Sequence, residues 1–373
     1  MYKHTILRLL LLLLFSPLFV ACNNDNDPDE IDSLNISLNV NGNEVSGNEE
    51  NFFLQIETQG SWSASVADDW CLLNKTSGIG NTSIIGTVAP NPGEKERSTI
   101  ITVITNDKQE TLTLKQRAQG TPPTFENISR IEIPKLKGDA MSLAYSHYTT
   151  YKNKKTITYS AEYDCTKKHT RWVAFTFYDD TSEKNVKRTD AWADDPFIPI
   201  EYRTYKNDYN GSGYTRGHLC ASEDRVYSKE ANEQTFYYSN MSPQIGDRFN
   251  GGIWLNMEAK VQSWGKETSL RDTLYVVKGG TIDDNNILRY AGNGVAVPKY
   301  YFMAILALKN SQYKAMAFFI EHKSYSAPYN TSNYAMSIDE LEQKTGIDFF
   351  HNLPDDIERT VEATFNKNQW PGL

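Results

Sequence analysis

The sequence predicts two folded units in series, a small all-β antiparallel sandwich of the immunoglobulin-like kind followed by an α+β domain with a mixed sheet and helices. Three observations carry that prediction. Across residues 34–118, short alternating apolar runs are separated by Gly, Asn and Pro signals, the pattern of half-buried strands joined by polar turns. Across residues 126–373 the apolar runs are longer and nearly unbroken, and two helical patterns join them. Between the two stretches, residues 119–125 contain Pro122-Pro123, which denies regular pairing and stiffens the chain as a linker does. A length of 373 residues allows two domains or three at roughly 150 residues each. With 39% hydrophobic and 12% aromatic residues the chain can bury real cores, which excludes wholesale disorder. The formal charge of −9 excludes a generally basic nucleic-acid coat, so nucleic-acid chemistry would need a local site. The acidity belongs to the first 118 residues, because the remainder is nearly balanced. Four cysteines exclude a disulfide-dense mini-protein and any Cys-rich zinc module.

Residues 1–21 read as an address. Lys3 and Arg8 precede an apolar run from Leu9 to Ala21, too short for a comfortable bilayer span and interrupted by Pro17. Phe19-Val20-Ala21-Cys22 resembles the lipobox of bacterial lipoproteins, in which the cysteine becomes the lipidated N-terminus. Residues 22–33 form an acidic tether, with five acids between Asn23 and Asp32. An acidic stretch after such a cysteine resembles the surface-export signals of Bacteroidetes lipoproteins. The resemblance implies an exported lipoprotein of the outer membrane, facing the cell exterior and held to the membrane through Cys22.

Strands are expected at residues 34–38, around Phe52–Ile56, at 99–104 and at 111–114. Gly60-Ser61-Trp62-Ser63-Ala64-Ser65 with Asp69-Trp70-Cys71-Leu72-Leu73 resembles the BACON module, whose family name implies glycan binding. Trp62 and Trp70 could stack on a sugar ring. In a small sandwich an aromatic is more often core, and the preferred reading is a stalk.

In the second unit, Trp172–Tyr178, Leu274–Val277, Tyr301–Leu308 and Ala315–Ile320 read as buried strands. An apolar stripe of Ile253, Trp254, Met257, Val261 and Trp264 predicts a helix from Asn250 to Trp264. A second helix is expected to start at Ser337, with Glu340 completing a capping box, and to end before Gly346.

Three motifs follow in order: Tyr214-Thr215-Arg216-Gly217-His218-Leu219, then Tyr238-Ser239-Asn240-Met241-Ser242-Pro243-Gln244, then Phe249–Glu258. A histidine can serve as a general base near neutral pH. Arginine presents a planar fork that suits phosphate oxygens. Asn and Glu supply the hard oxygen ligands that magnesium prefers. Asn250 and Glu258 stand about 12 Å apart along a helix axis at 1.5 Å per residue, so only one of them could ligate a given ion directly. No His-Glu-x-x-His or paired Cys-x-x-Cys competes for zinc, and no glycine-rich phosphate loop is present.

Together the motifs resemble the DNA/RNA non-specific endonucleases, relatives of mitochondrial endonuclease G, over roughly residues 131–370. The resemblance implies a His-Me finger (ββα-metal) fold and sequence-indifferent hydrolysis of DNA and RNA that leaves 5′-phosphate and 3′-hydroxyl ends. It makes His218 the general base and Asn250 the single protein ligand of one Mg²⁺, with Mn²⁺ or Ca²⁺ as alternatives. Glu258 would orient the waters of that ion, and Asn240 would support His218 or the metal shell. Arg216 would neutralise the phosphate, and Arg188 matches a second phosphate-contacting arginine of the family. Position 215 is Thr where the family usually has Asp, which bears on rate and metal preference rather than on reaction class.

Cys165 and Cys220 are the one cysteine pair within the second unit. Export would permit a disulfide between them, and equally Cys71, Cys165 and Cys220 could all be buried thiols. His147, His169, His322 and His351 lack such neighbours and are expected to be structural. The rival reading is a glycan-binding surface lipoprotein with an inactive nuclease-like scaffold. A scaffold, however, has no physical need for the polar trio His218, Asn250 and Glu258.

Overall fold

The computed structural model describes residues 33–40, 43–119, 130–137 and 141–373. The signal-like segment, Cys22, the tether up to Asp32 and linker residues 120–125 lie outside the described residues.

The first unit contains β1 (Asn35–Leu38), β2 (Glu44–Val45), β3 (Glu50–Glu57), β4 (Ser61–Val66), β5 (Cys71–Leu73), β6 (Ser77–Ile79), β7 (Thr82–Val88), β8 (Arg97–Ile104) and β9 (Gln109–Gln116). They form two sheets, β1-β3-β7-β5 and β2-β9-β8-β4-β6. The pairing is antiparallel except where β2 meets β9 in parallel. That edge is two residues long and is pinned by an ion pair between Glu44 and Arg117 at 3.1 Å. Phe52, Leu54, Ile56, Ile84, Val88, Ile101 and Val103 fill the space between the sheets. Trp62 is part of this core. Gly78 is required beside it, because a Cβ there would lie 2.4 Å from the indole ring. One face of Trp70 is taken by the Arg97 guanidinium, 4.2 Å from the ring centroid.

The second unit opens with β10 (Ser142–Tyr151), β11 (Lys154–Asp164) and β12 (His169–Phe177). Next come α1 (Lys206–Tyr209), β13 (Thr215–His218), α2 (Lys229–Gln234), β14 (Met241–Gln244), a π-helical segment Gly246–Trp254 and α3 (Leu255–Lys266). After them lie β15 (Thr273–Gly280), β16 (Ile287–Ala291), β17 (Val295–Pro298), β18 (Tyr300–Lys309), β19 (Gln312–Glu321), β20 (Ala335–Met336), α4 (Ile338–Thr345) and α5 (Asp355–Glu362). The central sheet has the order β10-β11-β12-β15-β18-β19-β20. Its ladders run antiparallel, so the mixture is of sheet and helices rather than of strand directions.

Strand alternation divides the core in two. Val173, Phe175, Leu274, Val276, Met303, Ile305, Met316 and Phe318 meet Phe249, Trp254, Met257 and Val261 on one face. Trp172, Ala174, Val277, Phe302, Ala304, Leu306 and Ala317 meet Ile338, Leu341, Phe349 and Val361 on the other. A sheet covered on both faces explains why these strands read as unbroken apolar runs. The helix expected from Asn250 to Trp264 is broken at Gly252, whose backbone (φ −115°, ψ −112°) leaves the helical region. The Asp247 carbonyl and the Tyr329 hydroxyl crowd that position to 3.0 and 2.8 Å of a would-be Cβ. Helix α4 is bounded as its sequence predicts. Ser337 and Glu340 make the reciprocal capping box, and Gly346 closes the helix at φ +67°.

The sandwich is not a detached stalk. β3 buries Phe52, Leu54 and Ile56 inward, while Phe53 and Gln55 on its other face enter the second unit. Phe53 joins the core cluster of the second unit that includes Ile131 and Ala144. The Gln55 amide accepts from the Ser146 N–H at 2.9 Å and donates to the Ser146 carbonyl at 3.0 Å. The Ser83 hydroxyl donates to the Ala144 carbonyl. β10 is the edge strand of the central sheet, so the sandwich satisfies edge groups that would otherwise face solvent or another chain. Replacing Gln55 with alanine strands a buried N–H and a carbonyl and is expected to cost about 1–3 kcal/mol. Urea unfolding should then lose cooperativity, with the sandwich melting first. A single transition at the wild-type midpoint would show that the docking contributes nothing.

Among the described residues Cys71, Cys165 and Cys220 form no disulfide with one another, so the expected Cys165–Cys220 bond is not made. Cys165 lies in the turn after β11 and Cys220 just past β13, and both pack as small apolar groups in one core cluster.

Candidate active site

β13 and β14 lie side by side, with Thr215 opposite Gln244, Arg216 opposite Pro243, Gly217 opposite Ser242 and His218 opposite Met241. With the kinked π-helical segment and α3 behind them, they bring the three motifs into one place. Gly217 has no room for a side chain, because a Cβ would stand 2.1 Å from the Gln244 amide. The chain beyond His218 is stapled by Asn240. Its Oδ1 accepts from the Cys220 N–H at 2.9 Å, and its Nδ2 donates to the carbonyls of Cys220 at 2.9 Å and Thr235 at 2.7 Å. Asn240 is buried, with both amide hydrogens donated and Oδ1 accepting one bond, so it holds the chain that follows His218.

The His218 ring packs edge-on against Phe236, with centroids 5.0 Å apart, and beside Trp192 at 5.8 Å. Its Nε2 is buried without a hydrogen-bond partner. Arg216 stacks its guanidinium on Trp192 at 3.9 Å, and Arg188 lies over Phe236 at 4.7 Å. Arg188 also donates to the Ser222 hydroxyl at 3.2 Å and pairs with Asp190 at 2.8 Å. Desolvation, then the charges of Arg188, Lys278 and Arg216, pull the His218 pKa down to about 3. The imidazole is therefore neutral across the physiological range and able to accept a proton.

Asn250 is tied to the hairpin through Thr215. Its Nδ2 donates to the Thr215 Oγ1 at 3.0 Å, and that hydroxyl donates to the Gln244 carbonyl at 3.0 Å. Thr215 thus supplies an uncharged bridge where the resembling family usually has a carboxylate.

Glu258 faces the same region from α3 and is only 7% exposed. Desolvation pushes its pKa up to about 7, against the opposing charge of Lys278. Lys278 is fully buried on β15. It donates to Asp224 Oδ2 at 2.6 Å and to Glu258 Oε1 at 3.5 Å, while Gln262 donates to Asp224 Oδ1 at 2.9 Å. Sequence reasoning missed Lys278 and Asp224. The available signal was a lone lysine closing the apolar run Leu274–Val277, at a position that alternation points inward.

The remaining histidines called structural include three with clear partners. His147 bonds Asp195 at 3.0 Å, His169 bonds Ser242 at 2.6 Å, and His322 accepts from the Ile245 N–H at 2.8 Å. A cleft of about 800 Å³ lies elsewhere, between the sandwich and α5, lined by Arg117, Arg130, Asp348 and His351 and by none of the motif residues.

A model of the DNA/RNA non-specific endonucleases matches residues 139–356, more than half of the chain, and a model of the BACON domain matches residues 60–117. Among curated proteins, the chain is 32% identical to "Nuclease 1, mitochondrial" of Schizosaccharomyces pombe over 182 residues, 46% of this chain and 56% of that protein. It is 32% identical to "Nuclease C1" of Cunninghamella echinulata over 43% of this chain and 66% of that protein. It is 29% identical to a nuclease of Nostoc sp. over 65% of this chain and 89% of that protein. The match therefore spans little more than half the length of the fission-yeast protein.

Proposed function

For a chain that belongs to the DNA/RNA non-specific endonuclease family, we propose metal-dependent hydrolysis of phosphodiester bonds in both DNA and RNA, without sequence preference. The observation that carries this reading is His218: a neutral imidazole with a buried, unpartnered nitrogen, packed against the two rings on which Arg188 and Arg216 stack. Arg188 and Arg216 bind the scissile phosphate, and their stacking on Phe236 and Trp192 fixes the two forks before substrate arrives. The arriving negative charge offsets the cationic field on His218 and raises its basicity when a proton must be taken from the attacking water. Recognition of the phosphate backbone rather than base edges accounts for the absence of sequence preference.

The donor set fits a hard divalent ion. The Asn250 Nδ2 is committed to Thr215, which leaves its carbonyl oxygen as the ligand, and Glu258 acts through water. Mg²⁺ is the expected ion, with Mn²⁺ or Ca²⁺ as alternatives. When bound, it supplies positive charge where the phosphoryl and leaving oxygens become negative. Digestion of supercoiled plasmid and single-stranded RNA, with Mg²⁺ or with EDTA, tests the reading. Cutting of both substrates that EDTA stops is expected. No cutting by folded protein with Mg²⁺, Mn²⁺ or Ca²⁺ would overturn it.

The same proposal places the protein outside the cytoplasm, lipidated at Cys22 on the outer membrane and facing outward. It is supported by the signal-like residues 1–21 and the acidic tether. Recovery of the native protein in the soluble cytoplasmic fraction would sink it.

A further inference from the structure

A second cluster of carboxylates lies on the opposite face of the central sheet from the His218 site. Asp339 and Glu342 stand three residues apart on α4 and so share one helix face. Glu362 ends α5. One carboxylate oxygen from each of the three lies within 4.8 Å of the other two. Glu362 is 4% exposed, and its Oε1 is buried with no hydrogen-bond partner. Glu342 already accepts the Phe349 N–H at 2.7 Å through Oε1, which anchors its carboxylate at the cluster. Glu358, one turn before Glu362 on α5, and Asp348 add negative charge from the flanks. Lys135 pairs with Asp348 at 3.6 Å. The charges that act most strongly on Glu362 are those of Glu342, Glu358, Asp348 and Asp339, all of them acidic. A buried carboxylate oxygen without a partner is costly, and it persists where a proton or a counter-charge joins it.

We propose that Asp339, Glu342 and Glu362 bind a divalent hard cation, Ca²⁺, which clamps α4 to α5 independently of the ion at Asn250. Oxygen donors without sulfur or imidazole exclude the softer transition metals. Ca²⁺ accepts six to eight oxygens at about 2.3–2.6 Å in loose geometry, and oxygens up to twice that distance apart fit around it. Mg²⁺ demands a tighter octahedron at about 2.0–2.1 Å. Three carboxylates leave the remaining positions to water. Leu341 and Val361 pack in the same core beneath the cluster, so the ion would fasten two helices already seated on β19. Burial, then the charges of Glu342, Glu358, Asp348 and Asp339, push the Glu362 carboxyl up to about 9. In the absence of a cation, a proton takes the place that the ion would hold.

The inference does not depend on the nuclease reading, and its test reads binding and stability rather than cleavage. CaCl₂ is titrated by calorimetry into the full chain carrying Asn250→Ala, so that the other site is silent, alone and combined with Glu362→Gln or Asp339→Asn. Melting temperatures are recorded with and without Ca²⁺. The Asn250→Ala chain should bind one Ca²⁺ and melt several degrees higher with it. Each added substitution should weaken binding at least tenfold and abolish the shift. Glu362→Gln without Ca²⁺ should melt no lower than its parent, because the carboxyl it replaces already carries a proton there and the amide keeps its shape. Undiminished binding in Glu362→Gln, or no Ca²⁺-dependent shift in its parent, would overturn the site. Mg²⁺ binding as tightly as Ca²⁺ would overturn the choice of ion.

Discussion

Replacing His218 with alanine is expected to lower the rate of phosphodiester hydrolysis by about 10²–10⁴-fold, the range that a positioned general base contributes. The fold should survive. The ring's buried Nε2 bonds to nothing, and Asn240 holds the strand through backbone groups that the substitution leaves in place. Plasmid digestion read beside a thermal melt separates lost chemistry from lost structure. Full activity in a clean preparation would mean that the base is elsewhere. The pH profile sharpens the assignment. A His218 pKa held near 3 keeps the base free through the acid range, so its protonation sets no limit near neutrality. Glu258 is raised to about 7 and acts as a carboxylate only once its proton leaves. Activity should therefore rise with pH through about 7, and Glu258→Gln should be low and flat over the same interval.

Much of this site is legible in the sequence because its parts are local. Arg216 and His218 sit on one four-residue strand, and Asn250 and Glu258 lie within one kinked helical stretch, so each pair is local in sequence and the family resemblance joins the two. The strands β12, β15, β18 and β19 are legible because both of their faces are buried. β10 and β11 escaped notice. Their buried positions hold Ser146, His147, Thr149, Thr158 and Ser160, polar groups that alternation counts as exposed. Their turn is marked only by Lys152 and Asn153 in the left-handed region. The docking of the sandwich was invisible for a related reason. It depends on Gln55 meeting the backbone of Ser146, a contact 91 residues long in sequence between groups with no pattern. The acidic cluster likewise joins two helices whose residues look, one by one, like solvated surface.

Removing the charge of Lys278, as Lys278→Met, is expected to destabilise the protein by about 3–5 kcal/mol, the usual consequence of leaving a buried ion without its partner. The side chain is fully buried, and two carboxylates depend on it. Burial alone would lower the lysine's pKa, but Asp224 and Glu258 hold it up, so it stays charged. Asp224 would keep the Ala221 N–H at 3.0 Å and the Gln262 amide at 2.9 Å, while Glu258 would lose the main charge that opposes its desolvation. Urea denaturation measures the loss, and adding Asp224→Asn should recover part of it, since that partner then needs no cation. Wild-type stability in Lys278→Met would show that the buried carboxylates are already neutral. The same substitution separates a positioning role from a merely structural one. With Lys278 gone, the Glu258 pKa moves further up, so the rise of activity should shift to higher pH and part of the lost rate should return in alkaline buffer. A loss of rate equal at every pH would assign Lys278 to the fold alone, whereas a shifted profile ties this lysine to the protonation state of Glu258.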